Sequence, residues 1–221
     1  MKVLEPDTEA EAQTLIKRAQ LTREPLSIRG GGTRSSLGRP AQAQATLSAL
    51  KLNGITLFEP TEMVFSARAG TPIRVIEQAL SEKDQMLPFE PMDHRRLLAT
   101  GGEPTIGGIF AGNVSGSARI NRGACRDAAI GVRLINGRGE IVKSGGRVMK
   151  NVTGLDLTKL MCGSFGTLGL VTEISFKVVP RPERSATLML LGLDDAKRSR
   201  RSPGRWAPAS TRMAQRTCRQ G

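Results

Sequence analysis

Ile28-Arg29-Gly30-Gly31-Gly32-Thr33-Arg34-Ser35-Ser36 is the stretch on which the reading turns. Pro25 to Arg29 reads as a short strand with Leu26 and Ile28 on one face, and it feeds directly into three glycines followed by hydroxyl side chains. Consecutive backbone N–H groups curved into a nest bind phosphate oxygens, and such a nest needs side chains that are small or absent. A flexible surface turn would also account for this loop taken alone.

The flanking residues extend the pattern. Pro6 and Asp7 open a helix that Thr8 caps, with Glu11 three residues on completing a capping box. Ala12, Leu15, Ile16 and Ala19 form its apolar stripe. Ala45 to Leu50 reads as a strand, and Ile55 to Phe58 and Met63 to Ala69 as two more, joined by Glu59-Pro60-Thr61-Glu62. Thr71 is expected to cap a second helix with Pro72 in its first turn and Ile73, Ile76 and Leu80 buried. Leu87 to Asp93, with two prolines, reads as an extended loop.

A second glycine cluster, Thr105-Ile106-Gly107-Gly108-Ile109-Phe110-Ala111-Gly112-Asn113-Val114-Ser115-Gly116, reads as a short helix whose orphan N–H groups would favour an anion. Asn113 and Ser115 add side-chain hydrogen-bonding groups. Arg119 and Gly123-Ala124-Cys125-Arg126-Asp127 follow, and Asp127 is open to a capping role instead of a binding one. Ile130, Val132 and Leu134 alternate as a strand, Asn136-Gly137 is a hairpin turn, and Glu140 to Lys143 returns. A third cluster comprises Lys150-Asn151-Val152-Thr153-Gly154-Leu155-Asp156 and Gly163-Ser164-Phe165-Gly166-Thr167-Leu168-Gly169. Asp156 to Cys162 reads as a short helix. From Gly169 to Val179, Leu170, Thr172, Ile174, Phe176 and Val178 alternate with Glu173, Ser175 and Lys177 in a clear strand pattern, ended by Pro180 and Pro182; Thr187 to Leu193 reads as one more strand.

Composition narrows the function classes. Glycine makes up 25 of 221 residues, ~11% against an average of about 7%. The net charge of +13 sits largely in the last 26 residues, 196–221, which hold eight Lys or Arg and no acid; without those eight, 25 basic residues face 20 acidic ones, a balance of +5. With aromatics at only 3%, a basic stacking surface for nucleic acid is not indicated. Three scattered cysteines and a single histidine, His94, exclude a CxxC pair, a histidine metal cluster and a Ser-His-Asp triad, so no metal site is expected. His94 is either a solvent-exposed loop residue or a neighbour of the ligand. The glycine spacing is neither GxGxxG nor Walker A. No apolar run approaches the ~18 residues that span a bilayer, and the expected setting is cytoplasmic. After Asp195 helical and strand periodicity end; that segment reads either as a disordered basic tail or as the product of a reading-frame change that shortened a longer protein.

Taken in order, Arg-Gly-Gly-Gly-Thr, Thr-Ile-Gly-Gly with Asn-x-Ser-Gly, Gly with Arg-Asp, the Asn-Gly hairpin, Lys-Asn-x-x-Gly-x-Asp and Gly-Ser-x-Gly-Thr-Leu-Gly-x-x-Thr-Glu resemble the vanillyl-alcohol-oxidase or p-cresol-methylhydroxylase type of FAD-binding domain. Gly145 to Val152 is the most specific part. Within that family the chain is most similar to the FAD-binding subunit of bacterial glycolate oxidase. The resemblance implies an α+β fold of two α/β subdomains, residues 1–50 and 51–193, with FAD between them, a tail over 194–221, and no cap domain. Carried over by position, Arg29, Gly30, Gly31, Gly32, Thr33 and Arg34 would hold the pyrophosphate. Thr105, Ile106, Gly107 and Gly108, with Asn113, Ser115 and Gly116, would line the other side, and Val171 would lie near the adenine. Some members attach FAD through a histidine beside the first loop; Thr33 stands there, implying non-covalent FAD.

The implied reaction is oxidation of a small 2-hydroxy acid to the 2-oxo acid, with a second flavoprotein subunit and an iron–sulfur subunit as partners and membrane association, if any, through them. No catalytic acid or base is identified by sequence. The alternative is a non-catalytic FAD-binding or assembly module of such a complex.

Overall fold

In the computed structural model, residues 2–39, 42–146 and 155–184 are described. The expected strand in 187–193, the basic tail and the Lys150–Gly154 part of the third cluster lie outside them. Residues 1–180 group as one compact unit; a second unit, Arg181–Gly221, is described only over 181–184.

The chain begins with a short strand that sequence periodicity did not reveal, β1 (Lys2–Leu4), followed by α1 (Glu9–Thr22), β2 (Leu26–Arg29) and β3 (Ala45–Ser48). These strands form a parallel sheet in the order β1-β3-β2. Thr8 caps α1 as expected, its hydroxyl accepting from Glu11 N at 3.2 Å. The reciprocal bond differs from a standard capping box: the Glu11 carboxylate takes the Asp7 N–H at 2.8 Å, not that of Thr8. Ala12, Ile16 and Ala19 are buried.

The second sheet is antiparallel. It contains β4 (Ile55–Glu59), β5 (Val64–Arg68), β7 (Ala129–Asn136), β8 (Ile141–Gly145) and β9 (Gly169–Lys177), in the order β4-β5-β9-β7-β8. A 3-10 turn over Pro60–Glu62 joins β4 to β5. The helix α2 (Ile73–Ser81) buries Ile73, Ile76 and Leu80. Its cap departs from expectation, because Pro72 is the N-cap residue and Thr71 points away. The Thr71 hydroxyl instead accepts from Gly54 N at 2.9 Å and sits 2.6 Å from the Arg68 carbonyl, stapling β5 to the turn before β4.

β6 (Gln85–Met86) pairs antiparallel with β10 (Val179–Pro180), so Pro180, expected to end the preceding strand, itself belongs to a short ladder. Pro180 stands at its end, where a missing N–H is tolerated. The remaining helices are short: α3 (Arg95–Leu98), α4 (Ile106–Ala111), α5 (Arg119–Arg122), α6 (Cys125–Ala128) and α7 (Leu157–Met161).

Two cores result. The larger lies under α2 and α4 and centres on Phe176, whose ring centroid is 5.6 Å from those of Phe65 and Phe89 and 6.2 Å from that of Phe110. The smaller joins Ala12 and Ile16 of α1 to Leu47, Leu52, Ile135 and Leu170. The expected alternation along β9 is broken by a register shift. Arg133 pairs with Glu173 but Leu134 pairs with Val171, which leaves Thr172 as an extra residue. Leu170 therefore enters the smaller core while Val171, Ile174 and Phe176 enter the larger. One strand thereby serves both layers and ties the parallel unit to the antiparallel sheet.

Candidate functional site

The glycine loop leaving β2 packs against the loop that precedes α4. A Cβ on Gly31 would meet Glu103 O at 1.7 Å, and one on Gly30 would meet Thr105 Oγ1 at 2.5 Å. Gly31 is therefore required for two backbones to touch, and Gly30 makes room for the Thr105 side chain, roles the sequence reading did not assign them. Thr100 completes the junction by donating its hydroxyl to Thr33 O at 2.7 Å. Among the described residues, none accepts a hydrogen bond from the N–H groups of Gly31, Gly32, Thr33 or Arg34. Four successive amides thus stand without an acceptor among the described residues, which is what a phosphate-binding nest requires.

The reading of α4 changes. Thr105 caps it, accepting from Gly108 N at 3.3 Å. The first N–H groups are not orphans, however: Ile106 N donates to Thr71 O at 2.9 Å and Gly107 N to Ala69 O at 2.8 Å. The six-residue helix has no free amides to offer an anion, and Ile106 is a core residue. Thr105 to Gly108 shape the wall against which the first loop rests.

Beyond α4 a cleft of about 420 Å³ opens, lined among others by Arg34, Met92, His94, Asn113, Ser117 and Phe165. Of the expected residues, Arg34, Asn113, Ser115 and Gly116 meet here; Arg29, Gly30 to Thr33, Thr105 to Gly108 and Val171 do not line it. Asn113, at φ 46°, accepts Arg126 N on Oδ1 at 3.1 Å, and Ser115 Oγ accepts Cys125 N at 3.0 Å while donating to Asn113 O at 2.9 Å. Both side chains thus fix their own loop. Asp127 is a capping residue, accepting Ala124 N at 2.9 Å.

Glu90 was not recognised from sequence. Its carboxylate accepts Ala118 N at 2.8 Å and the Ser117 hydroxyl at 3.3 Å, holding the cleft's far rim. His94 lines the cleft in contact with Arg34. Burial pulls the Arg34 guanidinium below its ordinary value, and Asp93 opposes that pull. Asp93 itself is held down to about 2 by its hydrogen bonds with Arg95. Burial, and then the neighbouring Cys162, push the Cys125 thiol well above the usual range, which makes it an inert packing group.

A second cleft of about 380 Å³ lies between the end of α1, β2, the Asn136-Gly137 turn and Gly166 to Leu170. Val171 is one residue beyond this lining, with its side chain in the larger core.

These features suit a dinucleotide such as FAD. The amide nest matches a diphosphate, and the first cleft carries Arg34 with no carboxylate among its lining residues. Among the described residues no group of His, Cys, Asp or Glu could hold a metal ion, and no helix is long and apolar enough to cross a membrane.

Comparison with known proteins points the same way. A family model described as an FAD binding domain matches residues 2–145. The chain is 44% identical to glycolate oxidase subunit GlcE of Escherichia coli K12, over 78% of this chain and 47% of that protein. It is 30% identical to glycolate oxidase subunit GlcD of Bacillus subtilis 168, over 86% of this chain and 39% of that one. It is 28% identical to a D-2-hydroxyglutarate dehydrogenase of Xanthomonas citri pv. viticola, over 84% and 38%. The chain thus spans less than half the length of these relatives. Among solved structures, an alkyldihydroxyacetonephosphate synthase superposes with a TM-score of 0.66 at 20% identity, over 82% of this chain and 32% of that one, a likeness of fold alone.

Proposed function

The chain belongs to the FAD-binding domain family, with the p-cresol-methylhydroxylase type of fold and FAD as its cofactor, and from that footing we propose that it is the FAD-binding part of a glycolate-oxidase-type enzyme that oxidises a small 2-hydroxy acid to the 2-oxo acid. The observation that carries this reading is the 44% identity to glycolate oxidase subunit GlcE across 78% of the chain. The GlcD likeness supports a role within a multi-subunit oxidase, and we extend that to a second flavoprotein subunit and an iron–sulfur subunit as partners.

In this proposal Arg29 to Arg34 hold the pyrophosphate chiefly through the uncommitted amides of Gly31 to Arg34. Thr105, Ile106, Gly107 and Gly108 act by position, as a rigid backing. Asn113, Ser115 and Gly116 form the opposite wall, and Val171 with the preceding Gly166 to Leu170 segment borders the adenine end. Thr33 stands where some family members carry the histidine that attaches FAD, which supports a non-covalently held cofactor. Bound FAD supplies the two-electron acceptor, while the protein orients it and excludes water.

Purification of the chain with a flavin spectrum, release of FAD on denaturation and glycolate-dependent dye reduction together with the partner subunits would support the proposal. A folded chain that binds no FAD would overturn it. A chain that binds FAD but adds nothing to glycolate oxidation by the assembled complex would leave an assembly module as the correct reading.

A further inference from the structure

His94 is the chain's sole histidine and stands on the cleft wall beside Arg34. Arg34 Nε lies 3.1 Å from His94 Nδ1, and Arg34 Nη2 donates to Met92 O at 2.9 Å. Nδ1 also lies 3.1 Å from Met92 O. Nδ1 cannot serve both neighbours. A bond to the carbonyl would require a proton on Nδ1, and that proton would confront the Arg34 donor. A guanidinium only donates, so Nδ1 accepts, Met92 O is served by Arg34, and the ring proton resides on Nε2.

The loop is fixed from its other side as well. Asp93 accepts from Arg95 Nε at 2.9 Å and Nη2 at 2.7 Å, and Arg95 Nη1 donates to Gly102 O at 3.1 Å. Leu98 N donates to His94 O at 2.9 Å. Among the described residues none accepts from His94 Nε2. Glu90 is engaged by Ser117 and Ala118, and Asp93 by Arg95, so neither carboxylate accepts from His94 Nε2.

We propose that Arg34 is a positioning residue that locks His94 in the Nε2–H tautomer, so that the imidazole presents a directed donor to an anionic oxygen of the bound ligand. That oxygen belongs either to the FAD diphosphate or to the carboxylate of a 2-hydroxy acid. The ligand half of this assignment rests on the proposed function; the tautomer half is a property of the chain by itself.

Long-range proton–nitrogen correlation spectra of the full chain report on His94 alone, because no other histidine is present. The ligand-free protein is expected to show the Nε2–H tautomer, and Arg34→Met a mixture of tautomers. A proton on Nδ1, a doubly protonated ring, or an unchanged tautomer in Arg34→Met would overturn the positioning role. FAD, riboflavin, and glycolate added to FAD-loaded protein then identify the oxygen. A shift of Nε2 with FAD and not with riboflavin assigns the diphosphate, and a shift that appears only with glycolate assigns the carboxylate. Equal shifts with FAD and riboflavin, or no shift with any of the three, would overturn the donor role. His94→Leu is expected to weaken the responsible ligand roughly 10- to 100-fold, the effect of losing one hydrogen bond to a charged group. His94→Gln, which keeps an N–H near the Nε2 position, is expected to recover most of that loss. A chain that binds neither FAD nor glycolate removes the donor half together with the function it rests on, whereas the ligand-free spectrum judges Arg34 independently.

Discussion

Gly31 and Gly102 meet backbone to backbone: a methyl group on Gly102 would lie 1.9 Å from Gly31 O. Gly102 also has φ 84°, which disfavours any side chain. No rotamer change can relieve a clash between two main chains. Gly31→Ala and Gly102→Ala are each expected to cost about 3 kcal/mol, the upper end of overpacking effects, and to strip flavin from the purified protein. Gly101→Ala is the control, since nothing lies within 4 Å of its Cβ position, and it is expected to change stability by less than about 0.5 kcal/mol. Urea unfolding and the flavin absorbance of each variant check this prediction.

The parallel and antiparallel sheets are tied by Glu9. Its carboxylate receives Arg133 Nε at 2.7 Å and Nη2 at 2.6 Å, and the Thr172 hydroxyl at 2.7 Å. Thr172 reaches it because it is the extra residue at the register shift in β9. The Arg133 side chain is 40% exposed, so solvent screening limits the energy. A double-mutant cycle of Glu9→Gln and Arg133→Met, read by urea unfolding, is expected to give a coupling of about 1 kcal/mol, between the exposed and buried limits.

The same cluster sets a pH dependence. Burial alone would raise the Glu9 carboxyl, but the bonds from Arg133 and Thr172 outweigh it and hold the group below 4.5. A carboxyl lowered in the folded state contributes its stability above the unfolded value and loses it as pH falls through the folded value. The stability difference between the natural chain and Glu9→Gln is therefore expected to be constant near neutrality and to shrink below about pH 4.5. A difference that grew on acidification would contradict the assignment.

How far the sequence carries this description differs by element. Strong periodicity located α1, α2, β7 and β9, because apolar side chains must return to the same face at a fixed interval. β1 and β6 are too short to show a period, and both exist through tertiary pairing with β3 and β10. The Thr71 cap failed because its hydroxyl found a better use across the chain, at Gly54. At the candidate site, glycine clustering marked the loops but did not distinguish their tasks. Gly31 and Gly102 allow main chains to touch, whereas the amides of Gly31 to Arg34 have no acceptor among the described residues. The orphan amides expected of α4 were lost to Ala69 and Thr71, contacts between residues more than thirty positions apart that local sequence does not encode. Glu90 and the Arg34–His94 pair likewise depend on contacts across the fold.

Phe176 is fully buried at the centre of three aromatic neighbours, and its strand carries both cores. Phe176→Ala would leave a cavity under α2 and α4 that backbone hydrogen bonding keeps from collapsing. A loss of about 3–5 kcal/mol is expected, measured by denaturant titration. Phe176→Leu keeps most of the volume and is expected to cost distinctly less.

Glu90 holds the cleft's far rim through two acceptor bonds, and Gly116 lets it approach: a Cβ on Gly116 would sit 2.3 Å from Glu90 Oε2. Both donors lie in the segment that follows Asn113 and Ser115, so releasing them frees the wall facing Arg34 and His94. Glu90→Gln retains a carbonyl acceptor for Ala118 N but loses its charge, and Glu90→Ala loses both bonds. Amide hydrogen exchange at Ser117 and Ala118 is expected to rise modestly in the first variant and strongly in the second, while α2 and β9 stay protected. Loss of hydrogen bonds to a charged group costs about 1.5–3 kcal/mol, so Glu90→Ala is expected to weaken FAD binding about tenfold or more, chiefly through faster dissociation. Unchanged exchange at Ala118 in Glu90→Ala would mean that the rim is held by other contacts and that the carboxylate has no part in shaping the cleft.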